Sequence, residues 1–473
     1  MHPAVKFNKS EYYVFYALII IKFSIAVIVP SLLFPDSGVY KKYADAFIEQ
    51  GFSMQIISLD SFQLFRTAGY PFVIVLAKTF FGTYHETVLN ILQTSFSLLS
   101  FFYLFKIQKF LFSSRVISYI FILFYLSSRY TLYDISYLTD SLNASLFCLS
   151  LSFLFYHYLN LTVNHKRYIF FSGLFWALSI LFRPASLYLS FIPLLIILAS
   201  FLNNKYHIKT TLLLVFIFCI PVVSSYHLYC KWNQNRSGAY VLSTTGAVNW
   251  LWPMFNMKER NLHDSFQDDN LLSKEFKNNF SDYSFSAQME LFNGLKEKLK
   301  LNQIQIGQYL FGHLKHNIIQ NPLAFIQNGF VNLYYTRMAR LLFDPIRKVD
   351  QFLRFGLKTK GLHGFRSQWA LASTQGGFKN ISLALLYSIT QIFAIIFFTL
   401  FILGVPGYGL YRLIKYKVLN QSLTISLFMW LCYCSMCFGY ALIHFEMRMA
   451  LPVLMFPLFG LIGLIQSVRQ PNI

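Results

Sequence analysis

The chain has 473 residues, of which 56% are hydrophobic and only 12% charged. That balance is too apolar for a soluble multidomain protein and predicts an all-α polytopic membrane protein. Forty Lys and Arg against nineteen Asp and Glu give a formal charge of +21. The excess sits in short loops and at the chain ends, where topology and anionic headgroups account for it better than nucleic acid does.

The first apolar run, from about residue 12 to 34, is too long for a signal-peptide core and has no small-residue cleavage site. It reads as a retained anchor. About ten spans follow from apolar length, at roughly 11–33, 86–106, 115–132, 137–160, 168–183, 185–202, 209–230, 381–404, 421–443 and 447–468. Basic residues then fall in alternate loops: Lys6 and Lys9; Lys106, Lys109 and Arg115; Lys166 and Arg167; Lys205 and Lys209; Arg412, Lys415 and Lys417; and Arg469. The positive-inside rule makes that side cytoplasmic, with both termini inside.

The same rule has 68–82, a short apolar stretch containing Lys78, lie in the outer interface or re-enter without crossing, because a crossing there would turn every later basic cluster outward. The chain thus divides into 1–230, with an external loop 34–85 formed by two surface helices and a link; an external, mostly helical region 231–380; and C-terminal spans over 381–473. Within the external region, 257–301 carries frequent Lys/Glu pairs, and amphipathic runs in 302–345 suit a membrane surface or a cap over a site.

Chemistry-bearing residues gather at the predicted outer ends of the spans. Asp36 follows span one, with Tyr40 and Ala44 at four-residue intervals on the same helical face. Pro35-Asp36-Ser37 is also good helix-start chemistry, so Asp36 fits a capping role equally well. Arg66 ends the external link. Asp134 and Asp140 stand before span four, Arg183 is in the turn between spans five and six, and His444, Glu446 and Arg448 fill the turn before span ten. Ionisable groups at membrane depth are costly and are usually functional or paired. Arg183 and Arg448 also fit snorkelling anchors, Asp140 a cap or an arginine's partner, and His444 an interfacial histidine. Trp250 and Trp252 fit either stacking on a sugar or ordinary interfacial tryptophans.

Six cysteines are present. Cys432, Cys434 and Cys437 have metal-like spacing, but on a helix Cys432 and Cys434 diverge by about 200°. They read as small hydrophobes, and neither a disulfide framework nor a bound metal is expected.

Asp36-x3-Tyr40-x3-Ala44 with Gly51, then Arg66-x2-Gly69-Tyr70-Pro71 and Phe81-Gly82, resembles the first external loop of GT-C glycosyltransferases. The protein O-mannosyltransferase-like and aminoarabinose-transferase-like branches are nearest in style. YLTDSLNASLFCLSLSFLFY, GLFWALSILFRPASL and FEMRMALPVL are similar to later elements of that family, in the same order. The chain departs from protein O-mannosyltransferases in having Ser37 after Asp36 where they carry an Asp-Glu pair, and Arg448-Met449 where Arg-Tyr is commoner.

The resemblance implies a GT-C-like fold and a single sugar moved from a polyprenyl-phosphate (undecaprenyl-phosphate) donor to a glycan, lipid or protein hydroxyl. Asp36 would be the general base, with Arg183, Arg448 and Arg66 on the donor phosphate. Tyr40, Asp134, Asp140, His444, Glu446, Trp250 and Trp252 are the candidate supporting or substrate-binding residues. Attack opposite the phosphate inverts the anomeric centre. There is no Gly-x4-Gly-Lys-Ser/Thr loop, as suits a lipid-linked donor needing no nucleotide, and a divalent cation is not required. The expected location is a bacterial inner membrane, the active face toward the periplasm. Rival readings are a polymerase or ligase moving a larger lipid-linked glycan, and a flippase or transporter, although no related halves are found.

Overall fold

Helices account for nearly all of the ordered backbone in the computed structural model, which describes residues 7–56, 58, 61–112, 114–127, 129–161, 164–202, 207–266, 271–279, 285–335, 396–416, 419–443 and 447–469. Among these residues there is no strand, only an isolated parallel bridge between Leu32 and Ser136. The all-α expectation holds. Among the described residues, seven helical stretches are long and apolar enough to cross a membrane: Lys9–Ile28, Gly69–Leu111, Pro184–Phe201, Ile208–Ser237, Ile396–Tyr416, Gln421–Ile443 and Met449–Arg469.

In chain order the helices are α1 (Lys9–Ile28), α2 (Ser37–Gln50), α3 (Phe62–Phe65), α4 (Gly69–Phe81), α5 (His85–Leu111), α6 (Arg115–Ser127) and α7 (Arg129–Asp134). They continue as α8 (Asp140–Tyr158), α9 (His165–Phe182), α10 (Phe191–Leu202) and α11 (Ile208–Ser237). After α11 come α12 (Gly246–Asn249), α13 (Leu251–Glu259), α14 (Leu271–Asn279), α15 (Phe285–Leu299), α16 (Gln303–Gln320) and α17 (Pro322–Tyr335). The last three are α18 (Val405–Tyr416), α19 (Gln421–Ile443) and α20 (Phe456–Arg469).

Among the described residues, three expected spans fall short of that length and apolarity. The stretch 115–132 is described as α6 and α7, on either side of residue 128, which lies outside the described residues. Helix α9 opens on His165-Lys166-Arg167, and α8 carries Asp140, Asn143, His157 and four serines. Every residue of α8 is buried, enclosed by α5, α9, α10 and the turn before α20. A helix that meets protein on all sides has no need to be uniformly apolar. Its serines bond across helix contacts instead, as Ser150 and Ser172 do at 2.9 Å. The eighth expected span runs past its expected end: the helix described from Ile396 continues to Tyr416, taking Arg412 and Lys415 out of the loop assigned to them, while 381–395 lie outside the described residues.

Small residues let backbones approach. At Gly173 of α9 an added Cβ would stand 2.4 Å from the Phe218 carbonyl oxygen of α11, so the tight α9–α11 contact requires glycine there. Gly82, at φ +51°, turns the chain between α4 and α5, in the left-handed region that glycine enters without cost. Unbroken, the 43-residue stretch Gly69–Leu111 would be about 64 Å long at 1.5 Å per residue, twice the hydrocarbon core. The break lets α4 pack back on α5 and against α2.

A second, smaller core forms beyond α11, where Leu251, Met254, Phe255, Phe266, Phe276, Leu295, Ile306 and Leu310 cluster. A Lys298–Glu275 ion pair at 2.6 Å ties α15 to α14. This unit is anchored to the bundle by α17: Phe330 packs on Phe438 of α19 with ring centroids 5.1 Å apart, and Asn332 Nδ2 donates to the Ala441 carbonyl at 2.7 Å. One face of the amphipathic 324–335 run is thus taken by α19. Residues 336–345 lie outside the described residues.

Candidate active site at one end of the bundle

Asp36 and Arg66 form an ion pair with Nη2 to Oδ1 at 2.9 Å, both side chains roughly a quarter exposed. Asp36 occupies the N-cap position of α2 yet makes no capping bond with its side chain. The helix start is stapled by Ser37 instead, whose hydroxyl accepts from Phe34 N and donates to the Tyr137 carbonyl, both at 2.9 Å. The carboxylate is therefore turned to Arg66 rather than spent on the helix. Tyr40, one turn on, is buried, and the Arg66 guanidinium lies 5.9 Å from its ring.

A second pair stands beside the first. Arg183 Nη1 reaches Asp140 Oδ1 at 2.6 Å, with Asp140 only 2% exposed. Arg183 precedes Pro184, which disfavours helical backbone; it ends α9 at φ −145°, ψ 104°. Ser179 and Ser186 both donate to Asn143 Oδ1, at 3.0 and 3.2 Å. Asn143 lies three residues beyond Asp140 on α8, so the same helix presents the carboxylate and fixes the turn that carries its arginine.

The two pairs belong to one assembly. Leu32 N donates to the Ile135 carbonyl at 2.8 Å and Tyr137 N to the Leu32 carbonyl at 3.0 Å, laying the segment before Asp36 along the segment before Asp140. Thr67 Oγ1 donates to the Phe182 carbonyl at 3.3 Å, joining the residue after Arg66 to the residue before Arg183. Ala68 N donates to Tyr229 Oη of α11 at 2.8 Å. The segment after α11 closes the same end: Thr244 N donates to the Leu64 carbonyl at 2.9 Å and Ser243 Oγ to the Phe65 carbonyl at 2.7 Å.

Gly69 is the tightest point of this junction, since a Cβ there would lie 2.6 Å from the Leu181 carbonyl oxygen. The clash is with backbone, so Gly69→Ala is expected to push α4 away from α9 and lower the melting temperature by several degrees, an overpacking cost of about 1–3 kcal/mol. Thermal unfolding of the purified variant checks this; an unchanged midpoint would mean that the junction yields freely.

Three tyrosines lie beside the pairs. Tyr70 meets Tyr40 edge-on at 5.4 Å and Tyr137 edge-on at 6.0 Å. The hydroxyls of Tyr70 and Tyr137 are buried and have no hydrogen-bond partner among the described residues. A phenol is protonated at neutral pH, so each can donate. Buried hydroxyls without partners are costly.

The remaining predicted residues divide. Asp134, grouped with Asp140 by its place in the sequence, is turned inward: it pairs with Lys22 of α1, both about 1% exposed, and accepts from Ser141 at 2.5 Å. Trp250 rests on Phe311 at 5.0 Å, in the small core beyond α11. Trp252 is partly buried in the same unit. The backbone at Arg448 belongs to the 3-10 turn Met447–Val453; His444 and Glu446 lie outside the described residues.

The sequence reading passed over Arg236. It is buried near the end of α11, its guanidinium 3.4 Å from the Trp232 ring centroid, and it donates to Tyr43 Oη of α2 at 3.2 Å. The Trp232-x3-Arg236 spacing was a legible signal once α11 is known to run past residue 230. Lys41–Glu86 at 3.2 Å and Lys78–Asp45 at 2.5 Å fasten α2 to α5 and α4. Among the described residues no group of three or more His, Cys, Asp or Glu is placed to hold a metal ion.

Among solved structures, the chain is similar to ArnT from Cupriavidus metallidurans bound to undecaprenyl phosphate, with a TM-score of 0.38 and 10% identity over 98% of this chain and 79% of that one. The apo state of the same protein gives a TM-score of 0.38 and 10% identity over 96% and 76%. No family model and no curated protein matches. At that score and identity the likeness decides nothing about the site.

Proposed function

We propose that the chain is a membrane glycosyltransferase of GT-C type, moving a single sugar from a polyprenyl-phosphate donor to an acceptor hydroxyl at the end of the bundle that holds Asp36. The observation that carries the reading is the pair of carboxylate–guanidinium contacts, Asp36–Arg66 and Asp140–Arg183, laced together by the Thr67–Phe182 bond. The motif order that resembles GT-C enzymes supports it.

The pairing suggests a sequence of events. Guanidinium forks suit phosphate oxygens and stay charged at membrane depth. A donor phosphate competes for Arg66 and Arg183, with Arg448 in the same role. Taking Arg66 from Asp36 leaves that carboxylate free to act on the acceptor, so the base is unmasked only with donor in place. Asp36 accepts the acceptor hydroxyl's proton as its oxygen bonds to the anomeric carbon. The carbon–oxygen bond to phosphate breaks, and the polyprenyl phosphate leaves with that electron pair, its charge held by the arginines. Configuration inverts. Tyr70 and Tyr137 offer their unpartnered hydroxyls to the sugar.

Membranes holding the chain, given polyprenyl-phosphate donors with a labelled sugar, are expected to transfer label to endogenous acceptors, whereas membranes without it are not. A ladder of product masses would instead indicate a larger glycan donor. Absence of any covalent product across the donor panel would overturn the transferase reading. Within it, Arg183→Lys keeps the charge beside Asp140 but loses the fork, and is expected to lower kcat/KM for the donor about tenfold; an unchanged kcat/KM would remove Arg183 from the donor phosphate.

A further inference from the structure

The opposite ends of α18, α19 and α20 gather cations. Arg412 of α18 is 4% exposed, yet its Nε and Nη1 have no hydrogen-bond partner among the described residues. Its guanidinium lies 4.6 Å from the Tyr416 ring centroid. Lys415 donates to Tyr411 Oη at 2.9 Å and lies over the rings of Tyr411 and Tyr416 at 5.4 and 5.3 Å. Tyr408 Oη donates to the Ser467 carbonyl at 3.1 Å, and Ser467 Oγ to Asn420 Oδ1 at 2.9 Å. These bonds draw α20 to α18, with exposed Arg469 two residues beyond Ser467.

The sequence has no Asp or Glu between Asp350 and Glu446 and none after Glu446, and no described ion pair includes Arg412. A buried guanidinium with two idle nitrogens is expensive unless an anion meets it. Beside it, Leu410, Leu413 and Ile414 of α18 and Leu403 in the turn just before it are all exposed, several at helical spacing, giving an apolar stripe along the helix.

We propose that this end of the bundle is a binding site for the phosphate of an anionic phospholipid. Arg412 is the buried contact, Lys415 and Arg469 the exposed ones, and the acyl chains lie along Leu403, Leu410 and Ile414. The apolar stripe is what selects a lipid over a free phosphate ion. Basic recesses between membrane helices are suited to anionic headgroups. The site stands apart from the Asp36 end and does not depend on the activity proposed there.

The purified full chain in neutral detergent would be titrated with phosphatidylglycerol, phosphatidylcholine or sodium phosphate, reading the melting temperature and the lipids retained in native mass spectrometry. Phosphatidylglycerol is expected to raise the midpoint and to stay bound, and Arg412→Gln to weaken that response about tenfold. An equal response to phosphatidylcholine, or full protection by sodium phosphate alone, would overturn the proposal. So would an Arg412→Gln protein that responds as wild type does. Should Arg412→Gln fail to accumulate, the exposed pair Lys415→Gln/Arg469→Gln provides the test: about threefold weaker lipid binding is expected, and unchanged binding overturns the site.

Discussion

Asp36→Asn is expected to lower sugar transfer by about 10²–10⁴-fold at equal protein level, the range over which a positioned general base acts. The amide keeps the carboxylate's shape and its place beside Arg66 at the start of α2, so the loss falls on proton transfer rather than folding. Because Asp36 makes no capping bond, helix stability is not in play, which separates this outcome from the capping alternative. The donor KM should change little, since Arg66 remains and is released from its carboxylate partner. Labelled transfer in membranes with matched protein levels is the measurement. If Asp36 serves only to hold Arg66, then Asp36→Asn and Arg66→Gln should lose activity alike, and both mainly through KM. That result would sink the base assignment and move attention to Asp140.

Lys22→Met is the second large effect, and it concerns stability. Lys22 and Asp134 are about 1% exposed and bonded to each other inside the bundle. Lys22 also donates to Thr131 Oγ1 at 3.3 Å and lies 4.7 Å from the Tyr125 ring centroid. Removing the ammonium strands a buried carboxylate, which costs about 3–5 kcal/mol, against total stabilities of about 5–15 kcal/mol. Little folded protein is expected, scored by a monodisperse peak in detergent. The double variant Lys22→Met/Asp134→Leu removes both charges together and should recover most of it, because a buried pair replaced by apolar groups is often neutral. A folded single variant, or a double variant no better than the single one, would show that the pair is not what holds α1 to α7.

Much of this protein follows from sequence alone because its physics is local. Apolar length and the low charge content set the helical membrane class. The placing of Arg183 before Pro184 announced an extended break after α9, since a pre-proline residue is sterically kept from helix. The one-face spacing of Asp36, Tyr40 and Ala44 is likewise a property of helix geometry.

Only the tertiary structure decided what the charges do. Whether Asp36 caps a helix or faces an arginine depends on where a residue thirty positions away returns, and Arg66 is brought back by Gly69 seating against the Leu181 backbone. Asp134 and Asp140 look alike in the sequence, yet one is claimed by Lys22 and the other by Arg183. Arg236 went unnoticed because α11 outlasts its apolar core, extended by the Trp232 stack and the bond to Tyr43. The serines of α8 lowered its apolar signal because burial on every side, which no local pattern records, removed the need for a lipid-facing surface. Spacing along a chain determines which residues share a face of one helix, and span counting brought Asp36, Arg66, Asp140 and Arg183 to one side. Which face meets which partner is settled by packing between helices, and the pairing of Asp36 with Arg66 and of Asp140 with Arg183 exists only at that level.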